Sequence, residues 1–298
     1  MATLREIRQR ISSVKSTQKI TKAMKMVAAA KLRRAQEGVI AARPYARKMK
    51  DLLQHLAGVV DVASNPLFAE RPVARVAIIV VAADRGLCGA FNANIIRTTV
   101  ARVNNTYGEI HRAGNLRLVG VGRKAVDFFS KNDYPITVKH SGIFAGLQFS
   151  TAQTIVAEAV RSFLNGEVDR VEVIYNEFHS IIQQRVVTEQ LLPIPPVAPP
   201  AGGHAPSAAR IDYIYEPSDT ALIAALVPKH LNFQMWRILL ESYAAEQGAR
   251  MTAMDNATTN ASDLIRLLQL SYNKARQASI TKELLEIVSG AEALKSAQ

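Results

Sequence analysis

The chain has 298 residues, 48% of them hydrophobic, a net charge of +12 and one cysteine. That is enough for one large domain or two ordinary ones with a packed core. No apolar run approaches the roughly 18 residues of a membrane span, the opening MATLREIRQR reads as neither a signal nor a transit peptide, and one cysteine excludes an internal disulfide.

The first segment predicts a long helix. Thr3 is placed to cap it, with Glu6 three residues on in a capping-box pattern. Leu4, Ile7, Ile11 and Val14 recur at steps of three and four and make one apolar stripe. Gln18 and Thr21 continue those positions but are polar. The apolar stripe is expected to resume at Ile20, Met24, Val27 and Ala28, one step out of register, a shift that changes the winding of a coiled coil. Pro44 is expected to kink or interrupt the helix. The helical pattern returns through Met49, Leu52, Leu53 and Leu56. Residues 1–50 hold 14 Lys or Arg against Glu6 and Glu37, so the whole charge excess lies there. Such a basic segment calls for an acidic partner.

A different period begins near Val73. Val76–Ala83 is rich in β-branched residues and reads as a buried strand. Helices are predicted at Phe91–Val103, Arg123–Ser130 and Ser150–Leu164. Further strands are predicted at Leu116–Val121, Ile136–Lys139, Val171–Phe178 and Arg185–Leu191. This alternation argues for a mostly parallel sheet with helices on its faces. The stretch from Pro195 to Ala209 is dense in Pro, Gly and Ala and reads as a mobile loop.

A second long helix is predicted to run nearly to Gln298, capped by Ser218 and Asp219. Leu231, Met235, Ile238, Ser242, Ala245 and Ala249 form a 3–4 stripe. Ala261, Leu264, Leu268, Ser271, Ala275 and Ala278 form a second. Sustained 3–4 spacing signals a coiled coil. The expected fold is therefore α/β with a long antiparallel coiled coil. Residues 1–60 form its first helix, 73–192 a central Rossmann-like α/β domain, 193–212 a Pro-rich mobile loop, and 213–298 the returning helix.

Five blocks carry a family resemblance. Ile280-Thr281-Lys282-Glu283-Leu284-Leu285-Glu286-Ile287-Val288-Ser289-Gly290-Ala291 resembles the C-terminal signature of gamma subunits of F-type ATP synthases. Tyr272–Ser279, Ser16–Met24, Asp84-Arg85-Gly86-Leu87-Cys88-Gly89 and Tyr213-Ile214-Tyr215-Glu216-Pro217 resemble other parts of that family, in the expected order.

The resemblance implies a central rotor, whose helices stand inside a hexamer of alpha and beta subunits. It implies further contacts with the epsilon subunit and a membrane ring of c subunits. Rotation driven by proton or sodium flow is then coupled to ATP synthesis or hydrolysis. It implies that Met24, Lys25, Arg276, Gln277 and Thr281 meet beta, and that Tyr213, Tyr215 and Glu216 meet the c-ring. It implies no catalytic residue, cofactor or metal in this chain, and a peripheral place on the cytoplasmic side of a bacterial inner membrane.

Other readings fit less of the chain. Nucleic acid would suit the basic segment, but that segment has no aromatic for stacking before Tyr45. Asp84–Gly89 and Gly120–Lys124 follow strands, where α/β folds bind phosphates, yet neither matches a dinucleotide or phosphate-loop fingerprint. Both read as turns, and Cys88 as a packed residue. The six histidines show no metal spacing.

Overall fold

The computed structural model describes residues 3–59, 65–180, 184–195 and 219–296. Two contact-defined units emerge: Met1–Ala28 with Met251–Gln298, and Ala29–Arg250. Most of the Pro-rich stretch lies outside the described residues.

The first unit is a pair of helical segments, the start of α1 (Leu4–Val59) and the end of α6 (Asp219–Ser296). The capping box forms as the sequence suggests. Thr3 N–H donates to Glu6 Oε2 at 3.1 Å, and Glu6 N–H donates to Thr3 Oγ1 at 3.3 Å. Arg8, Gln18, Thr21 and Lys25 reach Tyr272, Ser262, Thr258 and Asp255, respectively. Rising numbers on one helix meet falling numbers on the other, so the pair is antiparallel.

The seam differs from expectation on both helices. On α1 it runs through Leu4, Ile7, Ile11, Val14, Gln18, Thr21, Lys25 and Ala28, all buried or half-buried, without a change of register. Ile20 and Val27 stand 59% and 56% exposed. The helical backbone keeps its heptad step whatever the side chain. Polar residues hold their seam positions because they find hydrogen-bond partners across it. On α6 the inward positions are Met254, Thr258, Ala261, Ile265, Leu268, Tyr272, Ala275 and Ser279. Ala261, Leu268 and Ala275 match the expected stripe. Leu264, Ser271 and Ala278 do not, and their inward neighbours are Ile265, Tyr272 and Ser279.

In the second unit, β1 (Val76–Val81), β2 (Leu116–Val121), β3 (Ile136–His140), β4 (Arg170–Phe178) and β5 (Gln184–Leu192) form one sheet in the order β3-β2-β1-β4-β5. All pairs are parallel except β4–β5. β1 is buried along its whole length because both of its faces are covered. Val76, Ile78 and Val80 point to the side of α2 (Phe91–Asn105) and α4 (Arg123–Lys131). Ala77, Ile79 and Val81 point to the side of α5 (Phe149–Leu164) and α6. A short α3 (Gly108–Arg112) follows α2.

Two further expectations are corrected here. Pro44 does not interrupt α1, which runs through it to Val59. Packing offsets the lost hydrogen bond; next to it, the Tyr45 ring lies 4.9 Å from that of Phe233. The stripe Leu231, Met235 and Ile238 is not simply a seam between helices. It is fully buried in the same core cluster as Ile79, Val173 and Tyr175 of the sheet.

A half-buried polar network pins this part of α6 to the sheet. Arg237 donates to both oxygens of Glu189 at 2.9 and 2.8 Å, and to Glu241 and the Tyr175 hydroxyl. Gln234 Nε2 and Tyr175 O–H also donate to Glu189, at 2.8 and 3.0 Å. Burial pushes the Glu189 carboxyl up, but Arg237 and these donors outweigh it and hold it below the ordinary carboxylate value. Glu241 moves the other way, raised chiefly by burial.

Removing the cation leaves two desolvated carboxylates. Arg237→Met is therefore expected to cost about 3–5 kcal/mol, read by denaturant unfolding with the fluorescence of the neighbouring Trp236. A depressed carboxylate stabilises above its unfolded value, and that stabilisation is lost as pH falls through the depressed one. The gap between parent and variant should be full at neutral pH and narrow in acid. A gap that does not depend on pH would assign the loss to packing alone.

Candidate functional site

The turn after β1 is where a parallel sheet of this topology offers backbone N–H groups to an anion. Here the anion is the chain's own Asp84. Its carboxylate accepts from the N–H groups of Arg123 at 3.0 Å, Gly142 at 2.7 Å and Phe144 at 3.0 Å. One side chain thus ties together the ends of β1, β2 and β3. Gly122 has φ +89°, and a Cβ there would lie 2.0 Å from the Ala82 carbonyl oxygen, so only glycine fits.

The remainder of the loop is clamped from α6. Arg250 pairs with the buried Glu246 and donates to the carbonyls of Arg85 and Gly86 at 3.3 and 3.1 Å. Cys88 is buried, and burial pushes its thiol pKa up, away from a reactive thiolate. Both Gly-containing segments behave as structural turns. Leu87, by contrast, stands 68% exposed at φ +62°.

The candidate contact residues on the helices fall at two separate places. Met24 is half-buried beside the seam. Lys25 Nζ reaches Asp255 at 2.6 Å, with the two side chains 40% and 55% exposed. Arg276, Gln277 and Thr281 are exposed on α6, 21 to 26 residues beyond Asp255. At about 1.5 Å per residue they begin roughly 30 Å further along. Tyr213, Tyr215 and Glu216 lie outside the described residues.

Two features escaped the sequence reading. The first is the acceptor set Asp255, Thr258, Ser262 and Tyr272. Projecting the α1 heptads onto an antiparallel partner would have found it. The second is a bare apolar end on α6. Ile280, Leu284, Leu285, Ile287 and Val288 are 48–68% exposed. The basic surface expected from the sequence is present: Arg5, Arg8, Arg10, Lys15, Lys19 and Lys22 are all exposed around α1.

Comparison with known proteins accounts for the whole chain. The sequence profile of the ATP synthase family matches residues 3–294. The ATP synthase gamma chain of Chloroherpeton thalassium is 54% identical over 303 residues, covering 99% of each chain. That of Chlorobaculum tepidum is 53% identical over 296 residues, covering 99% of this chain and all of its own. The chain belongs to the ATP synthase gamma chain family. Its fold is also that of a chain in the Euglena gracilis mitochondrial ATP synthase OSCP/F1/c-ring structure, at TM-score 0.67 and 21% identity, covering 99% of this chain and 95% of that one. A chain in the central stalk/c-ring structure of the Tetrahymena thermophila enzyme aligns at TM-score 0.59 and 24% identity, covering 80% and 99%.

The polar stretch of the seam makes a distinctive stability prediction. Thr21 and Thr258 meet at 2.8 Å with little water around Thr21. Replacing one partner leaves the other's hydroxyl in the seam with only its bond to its own helix, whereas replacing both with an apolar isostere is close to neutral. Thr21→Val alone should cost about 1 kcal/mol, and Thr21→Val with Thr258→Val should recover it. A double variant no more stable in thermal melts than the single would place the hydroxyls in water rather than in the seam.

Proposed function

We propose that the chain is the rotating central shaft of an F-type ATP synthase. It transmits torque between a membrane c-ring and the catalytic beta subunits, and so couples proton or sodium flow to ATP synthesis or hydrolysis. Identity above half over essentially the full chain of gamma-chain relatives carries this reading. The structure adds physical support. A shaft needs stiffness along its length, which paired antiparallel helices supply. It needs an end that a surrounding sleeve can hold, and the bare apolar end of α6 is suited to one. It needs lateral contacts that attract without locking, and exposed charge pairs are worth only about 0–1 kcal/mol each.

In this reading Met24 and Lys25 lie near the acidic levers of beta, while Arg276, Gln277 and Thr281 meet a beta loop. Tyr213, Tyr215 and Glu216 meet the c-ring, the epsilon subunit binds the globular part, and nucleic acid is no partner. No described helix is long and apolar enough to cross a membrane. The chain would be held peripherally, through the complex, at the cytoplasmic side of a bacterial inner membrane.

The shaft itself is non-catalytic in this proposal. The purified chain, free of alpha and beta, should hydrolyse no ATP; robust turnover by it would overturn the reading. Co-purification with three alpha and three beta subunits would support it directly.

Charge supplies the second test. Lys22 is exposed and makes no ion pair among the described residues, whereas reversing Lys25 would also break its bond to Asp255. Lys22→Glu is therefore the cleaner variant. It should assemble normally yet pump fewer ions per ATP, with a defect that shifts with salt. Equal pumping per ATP in variant and parent at low ionic strength would show that this charge serves another purpose.

A further inference from the structure

The polar stretch of the helix pair has a direction. Thr258 O–H donates to its own helix at the Met254 carbonyl, 2.7 Å away. Thr21 O–H also reaches the Gln18 carbonyl of its own helix at 3.1 Å, so the 2.8 Å contact between Thr21 and Thr258 has no fixed donor. Ser262 O–H likewise donates to the Thr258 carbonyl at 3.0 Å, which leaves a lone pair for Gln18 Nε2 at 2.7 Å. Lys25 Nζ donates to Asp255, and Arg8 donates to the Tyr272 oxygen at 2.6 Å. Three of these four cross-helix contacts run the same way, from a donor on α1 to an acceptor on α6.

This arrangement matters because the pair also carries exposed apolar side chains outside its seam. Ile20, Met26 and Val27 on α1, and Leu264, Leu267 and Leu270 on α6, are exposed. A helix pair with so much free apolar surface is liable to exchange partners between copies.

We infer that the donor and acceptor rows are a pairing code, which makes the basic end of α1 choose its own chain's α6 and reject a second copy of α1. The geometry of the rejected complexes shows how. Two copies of residues 4–28 laid antiparallel with ends matched set Lys25 against Ile7 and Thr21 against Ile11, burying donors without acceptors. Laid parallel, they set Lys25 against Lys25 and Gln18 against Gln18, amid Arg5, Arg8, Arg10, Lys15, Lys19 and Lys22. An all-apolar seam would pair as readily with itself. Polar residues at single seam positions are a known means of fixing partner and register, at some cost in stability.

The inference is independent of what turns the shaft, and it is tested on the purified full-length chain. In a Cys88→Ala background, Val14→Cys with Ile265→Cys reports pairing within the chain, and Val14→Cys alone reports pairing between copies. The parent should cross-link within the chain. Adding Gln18→Leu, Thr21→Leu and Lys25→Leu should raise cross-linking between copies several-fold while Trp236 fluorescence stays native. An unchanged ratio would overturn the code. A charge swap guards against misfolding of the apolar variant. Lys25→Asp and Asp255→Lys should each lower the within-chain yield, and the double swap should restore it. A double swap no better than the single changes would equally overturn the inference.

Discussion

A helix of 78 residues cannot stand alone in water, and the rest of the structure follows from how α6 is covered. Its cover changes in kind along its length. Leu231, Met235 and Ile238 sink into a sheet core, with Arg237 locking the position. At Ala244 the cover is α1 itself, through Leu32 and Ala35, where small side chains let two backbones approach. From Met254 to Ser279 it is the start of α1 again, across a seam that is polar in its first half and apolar in its second. Beyond Ser279 the apolar residues are bare. Each change of cover is a change in what holds the helix: dispersion and burial first, then close backbone packing, then directional hydrogen bonds.

The sequence revealed the periodic elements well and the partners poorly. All five strands and the long helices are visible in the alternation of β-branched runs with 3–4 stripes, because burial selects residue type at each period. Pro44 misled because one missing hydrogen bond is small beside the packing of a long helix. The supposed register shift at Ile20 misled for a sharper reason. A hydrophobic stripe is read on the premise that apolar residues face inward, and in an elongated helix pair they need not. Ile20 and Val27 face out, and Gln18 and Thr21 face in. The same premise put Leu264 in the seam in place of Ile265. Hydropathy separates inside from outside only where water is the alternative; where another surface is the alternative, both faces of a helix become apolar.

At the candidate site the motif Asp84–Gly89 was legible as a turn but not as a clamp. Its purpose depends on Arg123, Gly142, Phe144 and Arg250, which are remote in sequence. The acid that a phosphate-binding reading would find awkward is the residue that fills the anion position. The neighbouring Leu87 shows the complementary case. A bulky residue at positive φ persists only where the surroundings over-determine it, and the Asp84 and Arg250 clamps supply that determination from two sides.

The pairing of Lys25 with Asp255 changes how the basic helix should be understood. Counting charges treats all 14 cations of the first 50 residues alike, yet they do different jobs. Lys25 spends part of its field on the partner helix, and Arg8 lies over the Tyr272 ring at 5.5 Å. Lys15, Lys19 and Lys22 are exposed and make no ion pair among the described residues. The charge free to act on an outside surface is thus carried by residues off the seam, while the seam cations hold the helices in register. On α1 the heptad keeps these two populations apart, because seam and off-seam positions lie on different faces of the helix.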